Sequence, residues 1–252
     1  MVEGREVILR NVCKQGRGMT CKNWYDKSYE KHGFSAQRLY PNEEFLRFLG
    51  RNFFKIPFGY RKNIKLLEVG CGSGANLWAA AREGFDCYGI DFSKNSIELC
   101  TQMLNKWNTS ANLYVGDMKD LPYNENYFDI IVDIFSSYCL SSQDFISFLT
   151  SVKKVLKPKG MFFSYHPSTE SDAFINYHPT NKIDEWTLDG IKRKDSPYVG
   201  NDYPIRFISP QQYQNILELL ELKMHELEIV DRSYNKMSEK FQFVVISAYK
   251  SY

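Results

Sequence analysis

Three glycines sit close together in the run Glu68-Val69-Gly70-Cys71-Gly72-Ser73-Gly74, after a short apolar stretch and before a helical pattern. Glycine at such a strand-to-helix turn accepts positive φ and lets a ligand lie against the backbone. Asp91 ends a second apolar stretch, 19 residues beyond Gly72. A carboxylate there can accept hydrogen bonds from two ribose hydroxyls. A third stretch ends in Val115-Gly116-Asp117-Met118. Its Asp can accept from an exocyclic adenine amine while Met118 covers the ring. Together the three describe a cradle for an adenosine-containing ligand. Each alone has a plainer explanation: a packing turn, an acid beside the helix-capping Ser93, and a polar loop. With Ala75 the glycine loop also satisfies the looser dinucleotide pattern, so nicotinamide-dependent oxidoreductase chemistry stays open on these residues.

Those loops need a scaffold that delivers them to one edge. From residue 64 onward, strand and helix patterns alternate. Strands are expected over Ile64–Val69, Cys87–Ile90, Leu113–Val115, Phe128–Ile134 and Met161–Tyr165. Between them lie helical stretches: Ala75–Arg82, one from Ser93 through Trp107, and one opened by Ser141 and Asp144. This alternation predicts an α/β fold with a parallel sheet and helices on both faces. The closing strands, Leu227–Val230 and Phe241–Tyr249, are joined by a connection too short for a crossover helix, so they should pair antiparallel. Upstream, Pro41 at a first helical position and Gly50 bracket a short helix, behind an aromatic lead-in of Trp24, Tyr25, Tyr29, Phe34 and Tyr40. Residues 1–22 show no clear period. Residues 166–208 break the rhythm, with four prolines and six aromatics, and read as an ordered lid.

The chain resembles the class I S-adenosylmethionine-dependent methyltransferases of small-molecule type. Leu66–Gly74 looks like that family's first motif, and Ile90-Asp91-Phe92-Ser93 like its acidic-loop motif. Gly116-Asp117-Met118 with Leu121-Pro122 looks like the adenine-binding motif. Phe128-Asp129 through Tyr138, and Val155–Gly160, resemble the stretches around strands four and five. The resemblance implies a Rossmann-like seven-stranded sheet, order 3-2-1-4-5-7-6 with strand 7 antiparallel, over residues 61–252, behind an N-terminal cap over residues 1–60. It implies S-adenosyl-L-methionine as cofactor. Gly70, Cys71, Gly72 and Gly74 would form the loop beneath its methionine part and ribose. Glu68 would hold the amino group or order the loop, and Asp91 would bind the ribose. Phe92 would flank the adenine, with Asp117 and Met118 holding it. Asp133 and Ile134 would face the methionine through backbone, and Tyr25 and Arg38 would lie over the cofactor.

Methyl transfer from a sulfonium is an in-line displacement that needs alignment and a dry site. A general base is required only for a poorly acidic hydroxyl or a protonated amine. His166, directly after strand five, is the candidate; the competing reading is a hydrogen-bonded residue that steadies the turn before Pro167. Asp133-Ile134-Phe135-Ser136 stands where many amino-group and nucleobase methylators carry an Asn/Asp/Ser-Pro-Pro-Tyr/Phe motif. Its absence leans the reading toward a small organic acceptor, with RNA or protein methylation as the alternative. Net charge is +2, from 32 basic and 30 acidic residues with the signs interspersed, so nucleic acid is not implied. The 6 cysteines form no C-x-x-C pair, which argues against a metal site and for a reducing, cytoplasmic setting. No apolar run is long enough for a membrane span.

Overall fold

The computed structural model describes residues 20–251. The unpatterned N-terminal stretch up to residue 19, with Cys13, lies outside them. Five parallel strands, β1 (Lys65–Val69), β2 (Asp86–Asp91), β3 (Asn112–Val115), β4 (Phe128–Ile134) and β5 (Leu156–Pro167), join two long antiparallel ones. These are β8 (Leu222–Tyr234) and β9 (Glu239–Lys250). The sheet runs β3-β2-β1-β4-β5-β9-β8. β9 pairs antiparallel with β5 and with β8. Because β6 (Thr187–Asp189) and β7 (Pro204–Arg206) form a separate two-stranded sheet, this is the expected order with different numbering.

Helices cover both faces. On one side, α4 (Leu77–Arg82), α5 (Lys94–Lys106) and α2 (Glu43–Asn52) bury Leu77, Cys100, Phe45 and Phe48 against the sheet. On the other, α6 (Ser142–Val155) and α8 (Pro210–Leu219) bury Phe145, Phe148, Tyr213 and Leu217. Full burial of one such side chain contributes about 1.5–3 kcal/mol. Ser93, Ser141 and Ser209 each accept a hydrogen bond from the first turn of the helix that follows.

Three elements differ from expectation. Asn42, not Pro41, starts α2: its side chain accepts from Glu44 and Phe45 N–H, and the helix runs past Gly50. Trp24, Tyr25 and Tyr29 of the aromatic lead-in lie on a helix, α1 (Cys21–His32), with Phe34 and Tyr40 beyond its end. β5 extends through His166 and Pro167, because its partner β9 continues to Phe243. The remainder of the segment expected to form the lid is ordered by α7 (Asp172–Ile175), by β6 and β7, and by Ile208 N–H donating to the Pro167 carbonyl at 2.9 Å.

Candidate active site

A cleft of about 230 Å³ opens at the carboxyl ends of β1, β2 and β4. Its floor is the loop after β1. Gly70, Gly72 and Gly74 all take positive φ there, at 63°, 52° and 83°. A Cβ on Gly70 would come within 2.4 Å of Ser136 Cβ, and one on Gly74 within 2.7 Å of Cys100 Sγ. These two glycines are thus fixed by close approach as well as by φ. Gly74 packs α5 onto the loop without lining the cleft.

Asp91 ends β2 and holds that loop. Its Oδ2 accepts from Gly72 N–H at 3.0 Å and its Oδ1 from Ser93 N–H at 2.9 Å. Each oxygen keeps a lone pair for a ligand hydroxyl. Burial pushes its carboxyl above the usual range, and the two N–H groups oppose that. Glu68 is buried beneath the same loop. Its Oε1 accepts from Asn76 at 2.6 Å, while Oε2 has no partner among the described residues. Burial pushes the Glu68 carboxyl up to about 8. An unpartnered buried carboxylate oxygen at the cleft wall suits a ligand ammonium group.

The far wall is the turn after β4. Asp133 is fully buried and accepts from Ser136 N–H at 3.3 Å, Ser137 N–H at 2.9 Å and the Ser136 hydroxyl at 2.6 Å. It also accepts from the Ser137 hydroxyl, and from the Ser164 hydroxyl at 2.9 Å. This fixes Phe135 at φ 55°, a strained value for a non-glycine residue, and puts Ile134, Phe135 and Ser136 along the cleft. Over the top lies α1, tied down by Asp26 accepting from the Ser93 hydroxyl. Tyr25 and Tyr29 face inward from it. The Tyr25 hydroxyl meets that of Tyr138 at 2.7 Å, and Tyr138 meets Tyr203 of the lid at 2.5 Å. Burial raises all three phenols well above their usual range, so they hold their protons at neutral pH.

The structure thus brings Tyr25, Arg38, Glu68, Gly70, Cys71, Gly72, Asp91, Phe92, Met118 and Ile134 to one cleft. It does not bring the rest there. Asp133 acts on the turn and not on the cleft surface. Asp117 is exposed and its carboxylate accepts from Lys119 N–H at 2.9 Å. His166 lies on the opposite face of the sheet, 1% exposed, edge-on to Phe145 and Tyr213, with Nδ1 3.1 Å from the Pro167 carbonyl. Burial and the nearby Arg206 hold its imidazole neutral, well below the usual range. It has no path to a group in the cleft, and the role of general base is withdrawn from it. Sequence reasoning did not single out Tyr29, Asn76, Phe135 or Tyr138 for the cleft. Tyr29 was detectable: it stands one helical turn beyond Tyr25 on the same face of α1.

Comparison with known proteins agrees with this geometry. Phthiotriol/phenolphthiotriol dimycocerosates methyltransferase of Mycobacterium leprae is 29% identical over 127 residues, 50% of this chain and 42% of that protein. Demethylmenaquinone methyltransferase of Staphylococcus aureus is 33% identical over 106 residues, 41% of this chain and 43% of its own. The matches therefore span less than half the length of these relatives. A SAM-dependent methyltransferase from Methanosarcina mazei superposes with a TM-score of 0.63 at 16% identity, over 75% of this chain and 93% of that one; this likeness concerns the fold alone. Among the described residues no helix is long and apolar enough to cross a membrane, and no group of three or more His, Cys, Asp or Glu side chains could hold a metal. Residues 60–222 match the family described as the methyltransferase domain, and the chain belongs to that family, the class I S-adenosylmethionine-dependent methyltransferases.

Proposed function

We propose that this protein binds S-adenosylmethionine in the cleft and transfers its methyl group to a small organic acceptor. The observation that carries the reading is a free Glu68 oxygen and the Asp91 carboxylate lining the same cleft as the glycine loop. One acid suits the ammonium of the methionine part. The other suits the ribose hydroxyls. Held there by Glu68 and Asp91, the cofactor would supply an electrophilic methyl group to an acceptor whose nucleophilic atom has already given up its proton to bulk solvent.

The chain's own residues position and enclose. Gly70 and Gly72 let the ligand lie on the backbone. Phe92 and Met118 supply apolar surface for a purine ring, and Met118 is 5% exposed. Tyr25, Tyr29 and Tyr138 roof the cleft and exclude water. As protonated phenols they orient an acceptor by hydrogen bonds and do not take its proton. The relatives named above methylate, by their names, phthiotriol or phenolphthiotriol dimycocerosates and demethylmenaquinone, which supports a small organic acceptor here.

Calorimetric titration with S-adenosylhomocysteine, with NAD in parallel, tests the reading. Micromolar binding of the former alone is expected. Asp91→Ala should weaken it by about 2–3 kcal/mol through loss of charge-assisted bonds. Binding of NAD alone, or of neither ligand, overturns the assignment.

A further inference from the structure

A second cavity, of about 300 Å³, adjoins the first and shares Arg38 and Phe135 with it. It lies over the carboxyl end of β5 and the neighbouring parts of β9 and β8, which contribute Tyr165, Phe243 and Arg232. The lid contributes Tyr198. Two properties set its chemistry. The first is its rings. Tyr165 and Phe243 stack at 4.3 Å, Phe135 and Tyr198 lie 5.1 Å apart, and Phe135 meets the edge of Phe243 at 5.7 Å. These walls favour a flat, conjugated guest. The second is its charge. Arg38 and Arg232 both line the cavity and neither makes a salt bridge among the described residues; the sole acid at the wall is Glu43. Arg232 shares the cavity wall with Tyr165, whose phenol raises its affinity for the proton. Two guanidinium groups set against one acid, and ion-paired with none, suit an anionic group on the guest.

Position links this cavity to the cofactor cleft. Phe135 stands on the strained turn after β4, whose Ser136 crowds Gly70, so a guest resting on Phe135 is next to the methionine end of the glycine loop.

We propose that this cavity is the acceptor site and that the acceptor is a planar, ring-bearing acid. Its ring lies among Phe135, Tyr198 and Phe243 and its anionic group is bound by Arg232, the residue that sets specificity. Arg38, at the junction, serves the cofactor side. The inference rests on the cofactor reading above and deepens it.

The test uses the full chain saturated with S-adenosylhomocysteine, titrated calorimetrically with 3,4-dihydroxybenzoate and with catechol, its neutral counterpart. The acid should bind about ten-fold tighter or more. Arg232→Gln should remove that preference and Arg232→Lys should retain part of it, while affinity for S-adenosylhomocysteine stays unchanged in both. Equal binding of acid and catechol, binding of neither, or an acid preference that survives Arg232→Gln overturns the proposal. Failure of S-adenosylhomocysteine itself to bind the unmodified protein would instead strike the cofactor reading, before the second titration begins.

Discussion

Asp133 and Arg206 are both fully buried charged side chains, yet they are solvated in opposite ways. Asp133 accepts hydrogen bonds from Ser136, Ser137 and Ser164 through backbone and hydroxyl donors. Arg206, on β7 in the lid, has Nε and Nη2 without a partner among the described residues and lies 3.6 Å over the ring of Phe145. Around it, His166 Nε2 and the Tyr213 hydroxyl are also unpartnered. Burial lowers the Arg206 pKa to about 10. The difference lies in how the two sites are encoded. Most donors to Asp133 come from three and four residues further along its own turn, so one short segment carries charge and solvation together. The Arg206 site is assembled from β7, α6, β5 and α8, and none of those elements brings an acceptor within hydrogen-bond reach of Nε or Nη2.

The strongest way to break this comparison is to remove the well-solvated charge. Asp133→Ala leaves buried N–H and hydroxyl donors unpaired and frees Phe135 from its strained turn. About 3–5 kcal/mol of stability should be lost in urea unfolding. A loss below about 1 kcal/mol would show that the turn holds its shape without the carboxylate.

Glu68 sharpens the comparison through pH, since it is the cleft's own under-solvated charge. Its folded-state pKa is raised from 4.5 to about 8. A raised carboxyl contributes stability that is fully present below 4.5 and is lost as pH rises through 8. Ligand binding runs the other way, because an ammonium group needs the ionised form. Affinity for S-adenosylhomocysteine should rise up to about ten-fold per pH unit until pH reaches that value, then level off. Glu68→Gln should bind more weakly and show no such slope. A flat profile in the unmodified protein would remove Glu68 from the ammonium site. His166 has the opposite sign: held neutral, its contribution is present above 6.5 and is lost as pH falls towards its lowered folded value.

What was legible in the sequence follows the same division. Gly70, Gly72 and Asp91 could be read because a tight turn and a strand-end acid are local demands, met within a few residues. The strand directions, too, were readable: strand–helix alternation forces parallel pairing, and the short connection before Phe241 forces the antiparallel closure, while the strand order followed from the family resemblance. His166 was misplaced by parity. With β5 expected to end at Tyr165, the next residue read as a loop facing the cleft. The strand in fact runs on through Pro167, so side chains keep alternating. Phe163 and Tyr165 pack toward the face that carries α2, and Phe162 and His166 toward the face that carries α6. The second cavity was illegible for another reason. Arg38, Phe135, Tyr198 and Arg232 are far apart in the chain, and only the closed sheet and the lid bring them together.

The smallest expected effect concerns Arg206 and sharpens the contrast most directly. A buried cation whose donors lack acceptors costs more in lost hydration than a ring face returns, so replacing it with an apolar side chain of similar length is neutral or favourable. Methionine keeps contact with the Phe145 ring and fills an irregular space through its flexible thioether. Arg206→Met should therefore gain about 1 kcal/mol, raising the melting temperature by about 2–4 °C, with affinity for S-adenosylhomocysteine unchanged because Arg206 does not line the cleft. Asp133→Ala and Arg206→Met would then move stability in opposite directions, although both delete one buried charge. A loss of about 2 kcal/mol or more in Arg206→Met would reverse the argument. It would mean that the Nε and Nη2 donors, with His166 Nε2 and the Tyr213 hydroxyl, surround a bound water or anion in solution, and that the floor of the lid is as fully solvated as the turn after β4.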